Sequence, residues 1–289
     1  MAERLSDVEL RIGSVRQLSA VITAMRGIAA ARSREAARRL AGVCAFTATI
    51  EEAIGRALPL LPESAAAGGP AREERGAHHL LIVLAAEQGF VGAFNNHLID
   101  AAVGLAGRRP EAEVLLVGDR GAMAASERGL AFGQVLPMVA HVEEAAGLAS
   151  RIADFVFERA GEERLAHVTL LHSIPQSDQG AGIVAKTLLP FDYARIPGAA
   201  GKAPEPLITL PPEELLESLT EEYVFAALCE ALLLSYAAEN EARMRAMVVA
   251  RENVERTLDE LTGKARQLRQ EQITDELIEL TAGTRASEG

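Results

Sequence analysis

The sequence predicts an α/β fold: a long antiparallel α-helical coiled coil, built from the N- and C-terminal helices, with a small α/β domain inserted between them. Three observations predict it. Residues 218–282 contain no proline and one glycine, Gly263, and apolar or small side chains recur there in steps of four and three, at Leu233, Ala237, Met244, Met247, Val254, Leu258, Leu261, Ala265 and Leu268. A repeat of about 3.5 residues sustained this long is a coiled-coil seam and not the stripe of a globular helix. Residues 4–57 also lack proline and carry the same repeat, at Ile12, Val15, Ile22, Met25, Ala29, Ala36, Leu40, Val43, Ile50, Ile54 and Ala57. Between the two, short apolar runs alternate with helical stretches, which is the order of an α/β unit.

Composition agrees with long helices. The chain is 49% hydrophobic but only 4% aromatic, with no tryptophan, which disfavours an all-β core. The net charge of −12 disfavours unspecific nucleic-acid binding. Residues 1–40 nonetheless carry eight arginines against four acids, while the C-terminal helix is acidic, so the two could be electrostatic partners. Cys44 and Cys229 lie far apart in helical stretches and read as small buried hydrophobes in a reducing compartment. No run of eighteen apolar residues occurs and the first residues do not resemble a signal peptide, so direct membrane insertion is not expected.

Taken in order, residues 1–57 are the N-terminal coiled-coil helix. Ser6-Asp-Val-Glu9 has the spacing of a capping box at its start. Gly13, Gly27 and Gly42 read as points of close backbone approach. Residues 58–77, with Pro59, Pro62, Gly68, Gly69 and Pro70, form a linker. The α/β domain spans 78–200. Its predicted strands are 80–84, 114–117, 166–171 and 182–189, and its predicted helices cover 97–105 and 143–160. Residues 201–217 form a second linker with a short helix. The C-terminal helix, 218–289, opens on a second capping-box spacing, Ser218-Leu-Thr-Glu221. At 1.5 Å per residue it would run roughly 95 Å, so part of it needs a partner outside its own domain.

Few residues suggest chemistry. The turn Gly89-Phe-Val-Gly92 follows a strand and precedes a helix, where a phosphate could sit. It is neither a GxGxxG nor a lysine-bearing phosphate loop, and Phe90 and Val91 fill the space a pyrophosphate needs. The histidines show no metal-ligand spacing, and His172-Ser173 lacks a nucleophile elbow. No catalytic, cofactor or metal residues are therefore assigned.

The order of motifs is similar to the γ subunit family of F-type ATP synthases. Arg11-Ile-Gly-Ser-Val15, Ala24-Met25 and Ala29-Ala-Ala-Arg32 resemble that family's first helix. Gln88-Gly-Phe-Val-Gly-Ala-Phe-Asn95 stands where the family has RGLCGGFN, Gly118-Asp-Arg-Gly121 resembles its GxKG turn, and Leu188-Leu-Pro190 its LLP. Ala238-Glu239, Ala242-Arg-Met-Arg-Ala-Met247, Asn253, Arg269-Gln270, Ile273-Thr274 and Glu276-Leu277 resemble its last helix at the family's spacing. Two departures, the Gln-Gly-Phe-Val-Gly-Ala turn and Thr23 at a lysine position, bear on whether this is a housekeeping subunit or the γ of a divergent second ATPase.

The resemblance implies a central rotary stalk. Such a subunit couples transmembrane ion flow to ATP synthesis or hydrolysis on β, with no active site or cofactor of its own. It implies an α3β3 hexamer, an ε subunit and the membrane c-ring as partners, and a peripheral place on the cytoplasmic face of a bacterial inner membrane. Carried over by position, Met25, Arg26, Arg269, Gln270, Thr274 and Glu276 become candidates for contact with β, and Ile22, Met25, Val254, Leu258 and Leu261 form the seam. On the resemblance the polar residues from Arg269 lie where the longer C-terminal helix has outrun its partner, without an intrachain counter-charge. Two other readings stay open on the residues alone: a Rossmann-like nucleotide-binding enzyme with helical extensions, and a coiled-coil scaffold that homodimerises.

Overall fold

A computed structural model of the chain describes residues 4–61, 78–109, 111–162, 165–176, 182–196 and 207–287. Most of the first predicted linker, and residues 201–206 of the second, lie outside these residues. The elements in order are α1 (Leu5–Ala57), a short 3-10 turn (Leu58–Leu60), β1 (His78–Leu84), α2 (Phe94–Arg108), β2 (Glu113–Val117), α3 (Asp119–Glu127), β3 (Gln134–Leu136), α4 (Ala145–Glu162), β4 (Leu165–Ile174), β5 (Gly182–Leu189) and α5 (Pro212–Ser287). The chain divides into two compact units: residues up to Ile28 with those from Met244 onward, and Ala29–Arg243. Helices α1 and α5 each contribute to both.

In the larger unit the strands form one sheet in the order β3-β2-β1-β4-β5. β1 pairs in parallel with β2 and β4, β2 in parallel with β3, and β5 runs antiparallel at the edge. β1 is a continuous apolar run because both of its faces are covered. Leu80, Ile82 and Leu84 face Leu148 and Ile152 of α4 and Val224, Leu228 and Leu232 of α5. Leu81 and Val83 face Leu98 and Ile99 of α2 and Ala125 of α3. Residues on α1 reach this unit too. Ala36 belongs to the first cluster, and Ile50, Ile54 and Ala57 pack with Leu216 and Ala226.

Leu233 and Ala237, placed by periodicity in the coiled-coil seam, lie instead in the sheet-facing core. A heptad repeat registers which face of a helix is apolar but not whether a helix or a sheet covers it. α3 and β3 had no counterpart in the sequence reading. β3 has three residues, and α3 is a short Ala-rich segment whose glycine is used for close approach. Gly118 has φ +106°, and a Cβ there would sit 2.6 Å from the Ala85 carbonyl oxygen; one on Gly121 would overlap the Ala85 Cβ. The glycine pair of this turn brings α3 against the end of β1.

In the smaller unit α1 and α5 pack antiparallel. Ile22, Met247 and Val254 form a buried cluster with Val15, Met25, Ala246, Ala250 and Leu258 around it. Glu9 of α1 meets Arg269 of α5 at 2.6 Å.

Both capping-box assignments are corrected. α5 starts at Pro212, and the Arg4 carbonyl accepts the amides of Asp7 and Val8, so Ser218 and Ser6 lie inside helices. Proline at the first helical position sets the helical φ upstream of the serine. Cys44 is exposed and only Cys229 is buried, its thiol pushed up to about 11 chiefly by burial. The helix glycines are corrected as well, since a Cβ placed on Gly13, Gly27 or Gly42 would meet nothing within 4 Å. Gly13→Ala and Gly42→Ala are therefore expected each to stabilise the isolated chain by about 1 kcal/mol, the helix-propensity difference. Thermal melts of the single and double variants check this; a lowered midpoint would show that those backbone positions are contacted.

Candidate functional site

A sheet of this order invites a ligand at the carboxyl end of β1, where the strand order reverses between β1 and β4. The groups at that place are already occupied. The amide of Ala86 donates to Asn95 Oδ1 at 3.0 Å. The Glu87 carboxylate accepts the amides of Met138 at 2.8 Å and Asp119 at 3.3 Å. The Ser173 amide donates to Ser235 Oγ at 3.1 Å. Ala238 and Ala242 of α5 pack with Ala86, Val91 and Phe94, so α5 fills the crevice that a nucleotide would use.

At its centre is a buried polar hub. Glu239, Asn240 and Arg243 are 4%, 1% and 5% exposed. The Arg243 guanidinium donates to Glu239 Oε1 at 2.5 Å, Asn240 Oδ1 at 3.2 Å, and the carbonyls of Gly89 at 3.2 Å and Gln88 at 3.3 Å. Burial pushes the Glu239 carboxyl above its ordinary range, with the guanidinium opposing that rise. This arrangement satisfies a charge and braces a turn. It presents neither a nucleophile nor a base to solvent.

Other polar groups are equally local. His79, its titration depressed to about 4 by burial first and then by Arg109 and His167, bonds Thr169 Oγ1 at 2.9 Å. Burial also lowers His172. Among the described residues no three His, Cys, Asp or Glu side chains come together as a metal site. A cavity of about 420 Å³ lies beneath α5, lined by Leu58, Phe157, Leu189, Tyr193, Leu216 and Glu217 among others, without a base–nucleophile pair.

The residues singled out for partner contact lie in two groups on the smaller unit. Met25 is half-buried against the Ile22–Met247–Val254 cluster, and Arg26 beside it is half-buried. Arg269, Gln270, Thr274 and Glu276 are exposed at another level of the helix pair. Of the seam residues, Ile22 and Val254 are in the buried cluster, Leu258 packs at its edge, and Leu261 is half-buried. The expectation that Arg269 lacks an intrachain counter-charge is overturned by its ion pair with Glu9. Thr274 donates to the Gln270 carbonyl at 2.8 Å, and Gln272 to Glu276 Oε1 at 3.0 Å.

The hub was missed. Its signal was a glutamate and an arginine four residues apart, straight after the mostly apolar run Val224–Ala238, where an unpaired charge would be costly.

Comparison with known proteins agrees with the whole length of this architecture. Residues 4–286 match the family described as ATP synthase. The ATP synthase gamma chain of Solibacter usitatus is 30% identical, over 98% of this chain and 99% of that one. The gamma chain of Bdellovibrio bacteriovorus is 25% identical, over 99% of each. Among solved structures, a chain of the Euglena gracilis mitochondrial ATP synthase (OSCP/F1/c-ring) superposes with a TM-score of 0.64 at 12% identity, covering 98% of this chain and 94% of that one. One from the Tetrahymena thermophila central stalk/c-ring gives 0.58 at 19%, covering 80% and 99%. At such identities the structures speak for the fold, and the end-to-end sequence matches speak for the family. With a helix pair at its two termini, a sheet whose ligand crevice is filled by its own last helix, and gamma chains matching it from end to end, this chain belongs to the ATP synthase gamma chain family.

Proposed function

We propose that the chain is the central rotary stalk subunit, γ, of an F1Fo ATP synthase, coupling transmembrane ion flow to ATP synthesis or hydrolysis on the β subunits. The observation that carries this reading is the match to gamma chains over the full length of both partners. In this reading the helix pair engages an α3β3 hexamer, and the remainder of the subunit works with ε and the c-ring. The subunit itself is non-catalytic, a role supported by α5 filling the crevice at the end of β1. It sits at the cytoplasmic face of a bacterial inner membrane. None of its described helices is long and apolar enough to cross a membrane, in keeping with a peripheral place.

Met25 and Arg26 would face β at one level, and Arg269, Gln270, Thr274 and Glu276 at another. The second group is exposed and held in helical order by short side-chain-to-backbone and i,i+4 bonds. Exposed polar groups of this kind contribute little to folding, which leaves them available for contacts that form and break.

Deletion of residues 273–289 tests the proposal. Ile273 is 50% exposed, and the deletion spares the Glu9–Arg269 pair. The isolated chain is expected to melt within about 2 °C of the parent, a loss well under 1 kcal/mol. The assembled complex is expected to lose about tenfold in ATP turnover, on the order of 1.4 kcal/mol of coupling. A truncated chain melting far lower, or a truncated complex turning over at the parental rate, would overturn the assignment of this end as a coupling surface.

A further inference from the structure

We propose that the cavity between the start of α5, the end of α4 and the segments following α1 and β5 binds a small amphiphilic amine, an apolar or aromatic body carrying an ammonium or guanidinium head. The inference does not depend on the γ reading, and the site lies wholly within the larger unit.

The volume of about 420 Å³ is in the range of small-molecule sites. Leu58, Leu61, Phe157, Leu189 and Leu216 supply apolar walls, drawn from four separate stretches of the chain. Such walls favour an apolar body, because its burial takes apolar surface out of water.

The polar side chains at the cavity are left as acceptors. Thr220 donates its one hydroxyl proton to the Leu216 carbonyl at 2.7 Å. Tyr193 Oη lies 3.2 Å from Thr220 Oγ1, so the tyrosine is the donor of that bond and its own oxygen remains free to accept. Glu213, Glu217 and Glu221 complete the lining with carboxylates, which when ionised only accept. No side chain of the lining therefore has a proton left for a ligand. Anions and neutral acceptors are disfavoured, and a cationic donor is selected.

The three glutamates recur every four residues, so they share one face of α5 and repel one another. Glu213, in the first turn, gains from the positive end of the helix. Glu217 and Glu221 lie beyond that turn, and among the described residues none of the three is ion-paired. A cation seated beside them relieves the repulsion. Among the described residues no three carboxylates converge as a metal ion would require, and the apolar walls favour a cation that carries a hydrophobic body.

Ligand-observed NMR on the whole chain tests this with phenylbutylamine, phenylbutanol, phenylbutyrate and spermidine. The amine is expected to saturate with a Kd on the order of 0.1–1 mM, as its size allows. The other three, each lacking the positive charge or the apolar body, should bind at least about tenfold more weakly. Glu217→Gln combined with Glu221→Gln should weaken the amine about tenfold and leave the alcohol unchanged. Both glutamates are exposed, so this double variant should fold as the parent does. Ala160→Phe, which fills the cavity from α4, should abolish binding of the amine. Phenylbutyrate or spermidine binding as tightly as the amine, a double variant with the parent's affinity, or amine binding that survives Ala160→Phe overturns the proposal. Each of these results leaves the γ reading standing.

Discussion

Arg243→Leu is expected to destabilise the chain by about 3–5 kcal/mol, because it leaves a buried carboxylate without its counter-charge. Glu239 is 4% exposed, and Arg243 is its ion-pair partner at 2.5 Å. The same guanidinium satisfies the carbonyls of Gln88 and Gly89 and the side chain of Asn240, so one substitution strips four acceptors. The loss should carry a pH signature. In the parent, burial raises the Glu239 carboxyl while the guanidinium opposes the rise. Removing that opposition raises it further. The folded variant then keeps a proton that the unfolded chain has released, so its deficit grows as pH rises above the ordinary carboxylate range and shrinks as pH falls toward it. The buried histidines, lowered by burial, act with the opposite sign in variant and parent alike, and cancel in the difference. Urea titrations at pH 5 and pH 7 would measure it. Adding Glu239→Leu should recover about 2 kcal/mol or more by removing the stranded charge. A deficit independent of pH and unmoved by the second substitution would mean that Arg243 acts through packing alone.

Met247→Asp should be nearly as severe, at about 4 kcal/mol, and confined to the smaller unit. Met247 is 3% exposed in the cluster with Ile22 and Val254. The substitution removes a buried side chain, worth about 2–5 kcal/mol for a large-to-small change, and places a carboxylate in an apolar seam. The half-buried Leu258 packs at the cluster's edge, so Leu258→Asp should cost about half as much. Circular dichroism and hydrogen exchange would locate the damage. Amides in residues 12–28 and 244–258 should lose protection, while those of β1 and β4 keep it. Loss of β1 protection at the same denaturant concentration would show that the two units unfold as one.

How much of this was legible varied from element to element. The two long helices were visible because a repeat of about 3.5 residues, uninterrupted by proline, is a property of neighbouring residues in the chain. β1, β2, β4 and β5 were visible for a like reason, since Leu80–Leu84 and Val114–Val117 are apolar runs that only a covered strand can use. β3 was invisible because it has three residues and exists through its pairing with β2. α3 was hidden by Gly118 and Gly121, which looked like a simple turn until the closeness of Ala85 explained them. The motifs shared with gamma chains marked the family, including Glu239 and Arg243, but not what those two side chains do.

The sequence by itself determined which segments are helical, that an α/β unit interrupts them, and, through spaced motifs spread along the chain, the family. Tertiary structure alone decided what covers each apolar face: the sheet for Leu233 and Ala237, and α1 for Met247 and Val254. It decided that Glu9 reaches Arg269, that Arg243 braces the turn after β1, and that Phe90 is held out from the surface. The physical reason is range. Periodicity and turn chemistry act over a few residues, whereas an ion pair spanning 260 positions, or a guanidinium meeting carbonyls 154 and 155 positions away, exists only once the chain has closed those loops.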